Sequence, residues 1–259
     1  MLVIQVIIAV ILLGVIVFTI VRLYSNDPQI SQNILFQKYS HWELLLNVFI
    51  PAILHIIVSV TAAILLRYFY RSQTGIEAQL LPAILLATTM GYVMILPWYT
   101  FVSTSIIFSA PTISAIYHFS LLFVALGYMG CALMHNQSMN FNQTQFLMIA
   151  FLFSLFPVSI APITSNSLQE PLVTRMMNNM FSIVLLVIEV LAVITFMIDL
   201  VKENNAHERL RDLSFILMTI GNSLQSAYFS TAFNAIGIVL FTGGTIMLIS
   251  LTRTYQVWG

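Results

Sequence analysis

Residues 181–193 read Phe-Ser-Ile-Val-Leu-Leu-Val-Ile-Glu-Val-Leu-Ala-Val, an apolar run with one ionisable residue, Glu189, at its centre. Extended to Met177 and Leu200, the run exceeds the roughly 20 apolar residues that a helix needs to cross about 30 Å of hydrocarbon. Comparable runs recur near residues 2–23, 44–66, 79–99, 112–134, 145–163, 212–228 and 231–252. They predict an all-α integral membrane protein, a bundle of seven or eight transmembrane helices, organised as one polytopic membrane domain over residues 1–259. The count stays at seven or eight because Gly221, Asn222, Ser223, Gln225, Ser226, Ser230, Thr231 and Asn234 make the last pair polar. That pair reads either as two spans with a tight turn or as a broken or re-entrant pair, since irregular backbone survives at depth only where protein or water covers it.

Composition agrees with the runs. The chain is 59% hydrophobic and 7% charged, against about 25% charged residues in an ordinary soluble domain. Its formal net charge is zero, so it lacks the basic footprint that nucleic acid requires, and nucleic-acid binding is excluded. The lipid bilayer is the expected partner, with other membrane subunits as further ones. The single cysteine, Cys131, lies in an apolar run and reads as a small buried hydrophobe. Leu2 to Val21 follows no Lys or Arg and ends in no small-residue cleavage pattern, so it reads as a retained first span and not as a signal peptide.

Lys and Arg in the connections set the expected orientation. With a cytoplasmic N-terminus and eight spans, the inner side collects Arg67, Arg71, Lys202, Arg209, Arg211 and Arg253, and the outer side Arg22, Lys38 and Arg175. Six against three places both termini in the cytoplasm. Asn136-Gln137-Ser138 and Asn142-Gln143-Thr144 read as glycosylation acceptors only in the reverse orientation, so that alternative stays open. Trp42, Trp98, Tyr99 and Trp258 fall near span ends and read as interfacial anchors. Pro51 removes a backbone donor within the second span, which predicts a kink and a carbonyl at Asn47 left to bond something else.

Glu189 is the residue most at odds with its surroundings. At about 1.5 Å per residue its position in the run puts it near the bilayer midplane, where a carboxylate facing lipid costs at least about 2.5 kcal/mol. It is expected to turn inward, as an ion- or substrate-binding group or as a protonated acid hydrogen-bonded within the bundle for structural reasons. His55 falls at similar depth in the second span and is the natural partner to consider, because imidazole changes charge near neutrality. The alternative is a neutral histidine bonded to a backbone carbonyl. Asn47, Asn222 and Gln225 complete the expected substrate- or ion-binding set.

A second constellation uses histidines alone. His41 and His55 are fourteen residues apart and His118 and His135 bracket the fourth span, while Gly91-Tyr92-Val93 and Leu96-Pro97-Trp98 lie on the span between. This arrangement resembles the four-helix haem bundle of the membrane cytochromes b. The resemblance covers residues 41–135 and implies a haem b held by His41, His55, His118 and His135. The chain departs from the family's pattern in the wider spacing of its second histidine pair and in two extra residues at the Pro-Trp segment.

Other chemistry is missing. There is no Gly-rich phosphate loop, no zinc helix and no nucleophile elbow, so an active site of the chain's own is not expected. Apart from haem as the alternative, no cofactor or metal is expected. Three functions remain: a binding or translocating bundle coupled to protons or ions, or an integral subunit of a larger membrane complex; a haem-bearing electron-transfer subunit; and a membrane sensor or structural subunit acting through a partner chain.

Overall fold

Leu2–Tyr24 forms α1, whose buried residues are Gln5, Ala9, Leu12, Ile16, Thr19 and Leu23. Steps of four and three trace a single stripe on a helix of 3.6 residues per turn. Its other side exposes Val3, Ile7, Val10, Ile11 and Val17, a surface suited to acyl chains and not to water. The same division into an inner stripe and an apolar outer face recurs in the helices that follow.

The fold is a computed structural model that describes residues 1–25, 41–69, 76–103, 109–135, 143–160, 179–226 and 231–257. Every element among them is helical. After α1 come α2 (His41–Leu44, a π-helical turn Leu45–Phe49, then Ile50–Phe69), α3 (Ile76–Gly91, a 3₁₀ turn Tyr92–Ile95, then Leu96–Ser103) and α4 (Ala110–His135). These are followed by α5 (Gln143–Ile160), α6 (Asn179–Lys202), α7 (Ala206–Ser226) and α8 (Thr231–Val257).

Six of these rods contain a stretch long and apolar enough to cross a membrane: Leu2–Tyr24, Leu45–Tyr68, Leu80–Thr100, Pro111–Met134, Phe181–Lys202 and Thr231–Thr252. The chain is therefore an all-α, multi-pass membrane protein. The other two rods differ. In α5 the apolar stretch Thr144–Leu155 is shorter, and α7 opens with His207, Glu208, Arg209, Arg211 and Asp212. Asn136 to Asn142 of the two glycosylation tripeptides lie outside the described residues.

The helices enclose an interior in which α3 is central, lying against α1, α2 and α4. α4 carries α5 and α6 on its other sides, α6 leads to α7, α7 pairs with α8, and α8 returns to α2. Because α7 is held by α6, α8 and α4, its polar residues need not face lipid. The last two elements are each a continuous helix over their described residues. Of the polar side chains that suggested a break, Ser223, Gln225, Thr231 and Asn234 make hydrogen bonds to other helices.

Glycine makes the α7–α8 pair close. A Cβ on Gly221 would stand 2.5 Å from the backbone nitrogen of Phe241 and 2.7 Å from the carbonyl oxygen of Gly237, and one on Gly237 would stand 2.9 Å from the carbonyl oxygen of Gly221. Backbone therefore meets backbone, which is how small residues join helices without help from the hydrophobic effect. One aromatic residue departs from its expected place: Trp98 is 0% exposed, because α1 and α2 cover the second half of α3 and absorb its ring into the core. Trp42 is exposed, and Trp258 lies outside the described residues.

Candidate functional site

Two prolines shape the backbone that carries the polar residues. Pro51 cannot donate to the carbonyl four residues back, and the turn before it widens, so that the Ile50 N–H bonds the Leu45 carbonyl in π geometry. The Asn47 carbonyl is released and accepts the Asn234 Nδ2 of α8 at 3.0 Å. Asn47 also takes a hydrogen bond through Oδ1 from the Thr231 hydroxyl. The released carbonyl thus ties the start of α8 to α2. Pro97 acts in the same way on α3: the preceding turn tightens to 3₁₀, the Leu96 N–H bonds the Val93 carbonyl, and Tyr92 becomes the first residue of that turn.

Tyr92 is the centre of a buried chain of three polar side chains. His55 Nδ1 lies 2.5 Å from the Tyr92 hydroxyl oxygen, and the Tyr92 hydroxyl donates to Gln225 Oε1 at 3.0 Å. With its single proton committed to Gln225, the Tyr92 oxygen accepts from His55, which fixes the proton on Nδ1 and leaves a lone pair on Nε2. The His55 ring stacks edge-on against Phe241 of α8 with centroids 4.1 Å apart. His55 is 2% and Gln225 3% exposed, yet His55 Nε2 and Gln225 Nε2 have no hydrogen-bond partner among the described residues.

Both residues line a cavity of about 30 Å³ shared with Thr88, Tyr117, Ser120 and Asn222. It lies where α2, α3, α4 and α7 meet. Ordered water needs roughly 10–15 Å³, so the space suits one or two very small molecules. The Thr88 hydroxyl donates to the Ile84 carbonyl at 2.9 Å and the Ser120 hydroxyl to the Ile116 carbonyl at 2.7 Å. Each is left with acceptor capacity only.

Glu189 lies elsewhere. It is 6% exposed, on the inner stripe of α6, and accepts a hydrogen bond from the Ser223 hydroxyl of α7 at 2.8 Å. The carboxyl group turns away from lipid. His55 and Glu189 are not brought together, since α2 and α6 pack on different neighbours. The last turns of α7 serve both clusters: Ser223 reaches Glu189, while Asn222 and Gln225 border the cavity. Asp199, on the same stripe as Glu189, is buried as well.

The four histidines of the haem reading divide in two. The side chains of His41 and His135 lie outside the described residues. His118 bonds the Ser114 carbonyl through Nδ1 at 2.7 Å and faces the Phe181 ring with centroids 4.6 Å apart. It stands on α4, with α3 between it and α2. His55 and His118 thus stand on separate helices, α2 and α4.

Against protein-family models, curated proteins and solved structures the chain gives no match. The geometry must carry the functional reading alone. No group of three or more His, Cys, Asp or Glu side chains that could hold a metal ion occurs among the described residues.

Tyr92, which joins the two ends of the buried chain, was not among the candidates read from the sequence. Its only signal there is its place in mid-span, after a glycine and five residues before Pro97. Gln5 was missed too: it is buried in α1, with Nε2 at 3.3 Å from the Thr89 hydroxyl and 3.4 Å from the Ser59 carbonyl. A lone amide in an apolar first span is its signal.

Proposed function

We propose that this bundle binds a small polar species in the His55 cavity and passes it across the membrane, with His55 taking up and returning a proton during passage. One observation carries the reading: His55 lines a cavity in the bundle, its tautomer held by Tyr92, and its buried Nε2 has no hydrogen-bond partner among the described residues. Buried polar atoms are otherwise satisfied in folded proteins, and an exception calls for a ligand, an ion or water. Ionisable residues among membrane helices mark transport pathways and proton relays in general. Asn222 and Gln225 are the other groups at the site. Asn47 holds α8 in place, and Glu189 holds α7 through Ser223. Both termini are cytoplasmic in this reading, and the apolar outer faces of α1, α5 and α6 meet lipid or other membrane subunits.

The test is proton entry into proteoliposomes under an imposed potassium diffusion potential, followed with a pH dye trapped inside. Vesicles holding the natural protein are expected to acidify faster than protein-free vesicles, and His55→Phe is expected to reduce the rate to that of lipid alone. Equal rates for the natural and His55→Phe proteins would remove His55 from the pathway.

A further inference from the structure

One face of α8 meets a polar residue at each turn of its first half. The Thr231 hydroxyl donates to Asn47 Oδ1, and Asn234 Nδ2 donates to the Asn47 carbonyl at 3.0 Å. Gly237 lies against Gln225, since a Cβ there would stand 2.8 Å from Gln225 Cγ. Phe241 stacks edge-on against the His55 ring. Positions 231, 234, 237 and 241 advance by three, three and four, so they share one stripe, and at about 1.5 Å per residue the stripe leads about 15 Å inward. Thr231 is exposed and opens the apolar stretch Thr231–Thr252, so Phe241 lies near mid-span. Beyond it the stripe closes: a Cβ on Gly244 would stand 2.6 Å from the Ser214 carbonyl oxygen, and the Thr245 hydroxyl is spent on the Phe241 carbonyl at 2.7 Å.

Two atoms along this stripe have no hydrogen-bond partner among the described residues: Asn234 Oδ1, an acceptor, and Gln225 Nε2, a donor. Both residues are buried. The other end of each amide is engaged, Asn234 Nδ2 by Asn47 and Gln225 Oε1 by the Tyr92 hydroxyl, so neither group can turn round without losing a bond. Asn234 is one turn of α8 from Gly237, against which Gln225 packs, and the two orphaned atoms therefore belong to adjacent turns of one seam. A buried donor and a buried acceptor left unpaired are the setting that holds ordered water. We infer that water bound between Asn234 Oδ1 and Gln225 Nε2 joins the His55 cavity to the membrane face at which α8 begins, and that this seam of α2, α7 and α8 is the route by which protons reach His55. Neither amide titrates; each holds water in file. A proton taken up at His55 Nε2 comes from water in the cavity and is replaced, hop by hop, from bulk water at Thr231, so no charge stays on the seam. The carbonyl freed by Pro51 serves this route, because it fixes the Asn234 amide nitrogen and leaves the oxygen for water.

This inference rests on the translocation reading above, and its test separates the two. Asn234→Cys and Gln225→Cys are made in a Cys131→Ala background, which removes the single native thiol, and are treated in lipid nanodiscs with a charged, membrane-impermeant thiol reagent. Both are expected to be labelled. Ile236→Cys and Val239→Cys, at the same depth but 50% and 69% exposed on the outer face of α8, are expected to resist, because a thiol in acyl chains forms no thiolate and meets no charged reagent. A second measurement leaves the seam intact and does not depend on the folding of a variant. In the natural protein the side-chain amide protons of Asn234 and Gln225 are expected to exchange into heavy water well before the backbone amide of Phe241.

Cysteines at 234 and 225 as unreactive as those at 236 and 239 would overturn the route, as would side-chain amides that exchange no faster than the Phe241 backbone. That result beside proton entry dependent on His55 would leave the translocation reading standing and remove this inference alone. Labelling and rapid exchange in a protein that moves no protons would keep the water file and remove the translocation reading.

Discussion

Gly221→Val is expected to pry α7 from α8 and to cost about 1–3 kcal/mol, the usual range for forcing extra carbons into a filled contact. The reason lies in what the new side chain would meet. A Cβ at Gly221 stands 2.5 Å from one backbone atom of α8 and 2.7 Å from another, and backbone cannot swing aside as the end of a long side chain can. The helices must move apart, and Asn222 and Gln225, on the same turns of α7, must move with them. Thermal unfolding in lipid nanodiscs should therefore show a lowered midpoint together with lost activity of the cavity. Gly243 provides the control. A Cβ there meets nothing within 4 Å, so Gly243→Ala should be neutral or should stabilise the helix by up to about 1 kcal/mol. A Gly221→Val protein as stable as the natural one would mean that the two helices are not in backbone contact.

Glu189 allows a test of similar size. Glu189→Lys would place an ammonium group on the inner stripe of α6, at a position already near mid-membrane, and charged residues there cost about 2.5–3.5 kcal/mol on insertion scales. Ser223 would face a cation that accepts no hydrogen bond. Loss of folded, monodisperse protein is expected. Glu189→Gln behaves differently, because its amide oxygen can still accept from Ser223. Its cost should stay near the average of about 0.6 kcal/mol found for hydrogen bonds between membrane helices. Size-exclusion profiles and thermal midpoints of the two variants read this contrast. If Glu189→Lys folds as well as Glu189→Gln, the acid does not occupy the buried contact with Ser223.

Helix positions were legible because the lipid solvent demands long apolar runs, and the eight rods fall within a few residues of the runs read from the sequence. The inward turn of Glu189 was legible for the same reason. So was the release of the Asn47 carbonyl, since proline acts on its own helix at a fixed distance. Which of the eight could cross the membrane was less legible: α5 and α7 are helical, but their described residues lack the length or apolar character of the other six. Neighbourhood was not legible at all. Equal depth suggested His55 beside Glu189, but side chains at one depth can lie anywhere around a bundle. The α7–α8 hairpin gave Ser223 to one of them, and the turn before Pro97 placed Tyr92 against the other. Trp98 shows the same limit, since proximity to a span end does not reveal that α1 lies across it.

The most direct measurement is water-edited solid-state NMR on histidine-labelled protein in bilayers, with the His55 ring signals assigned by their loss in His55→Phe. Rapid polarisation transfer from mobile or exchangeable protons to a neutral His55 ring, protonated on Nδ1 and bare on Nε2, is the expected result. A His55 ring as slow to receive that transfer as the lipid-facing isoleucines of α1, or one carrying its proton on Nε2, would contradict a polar cavity at the heart of this bundle.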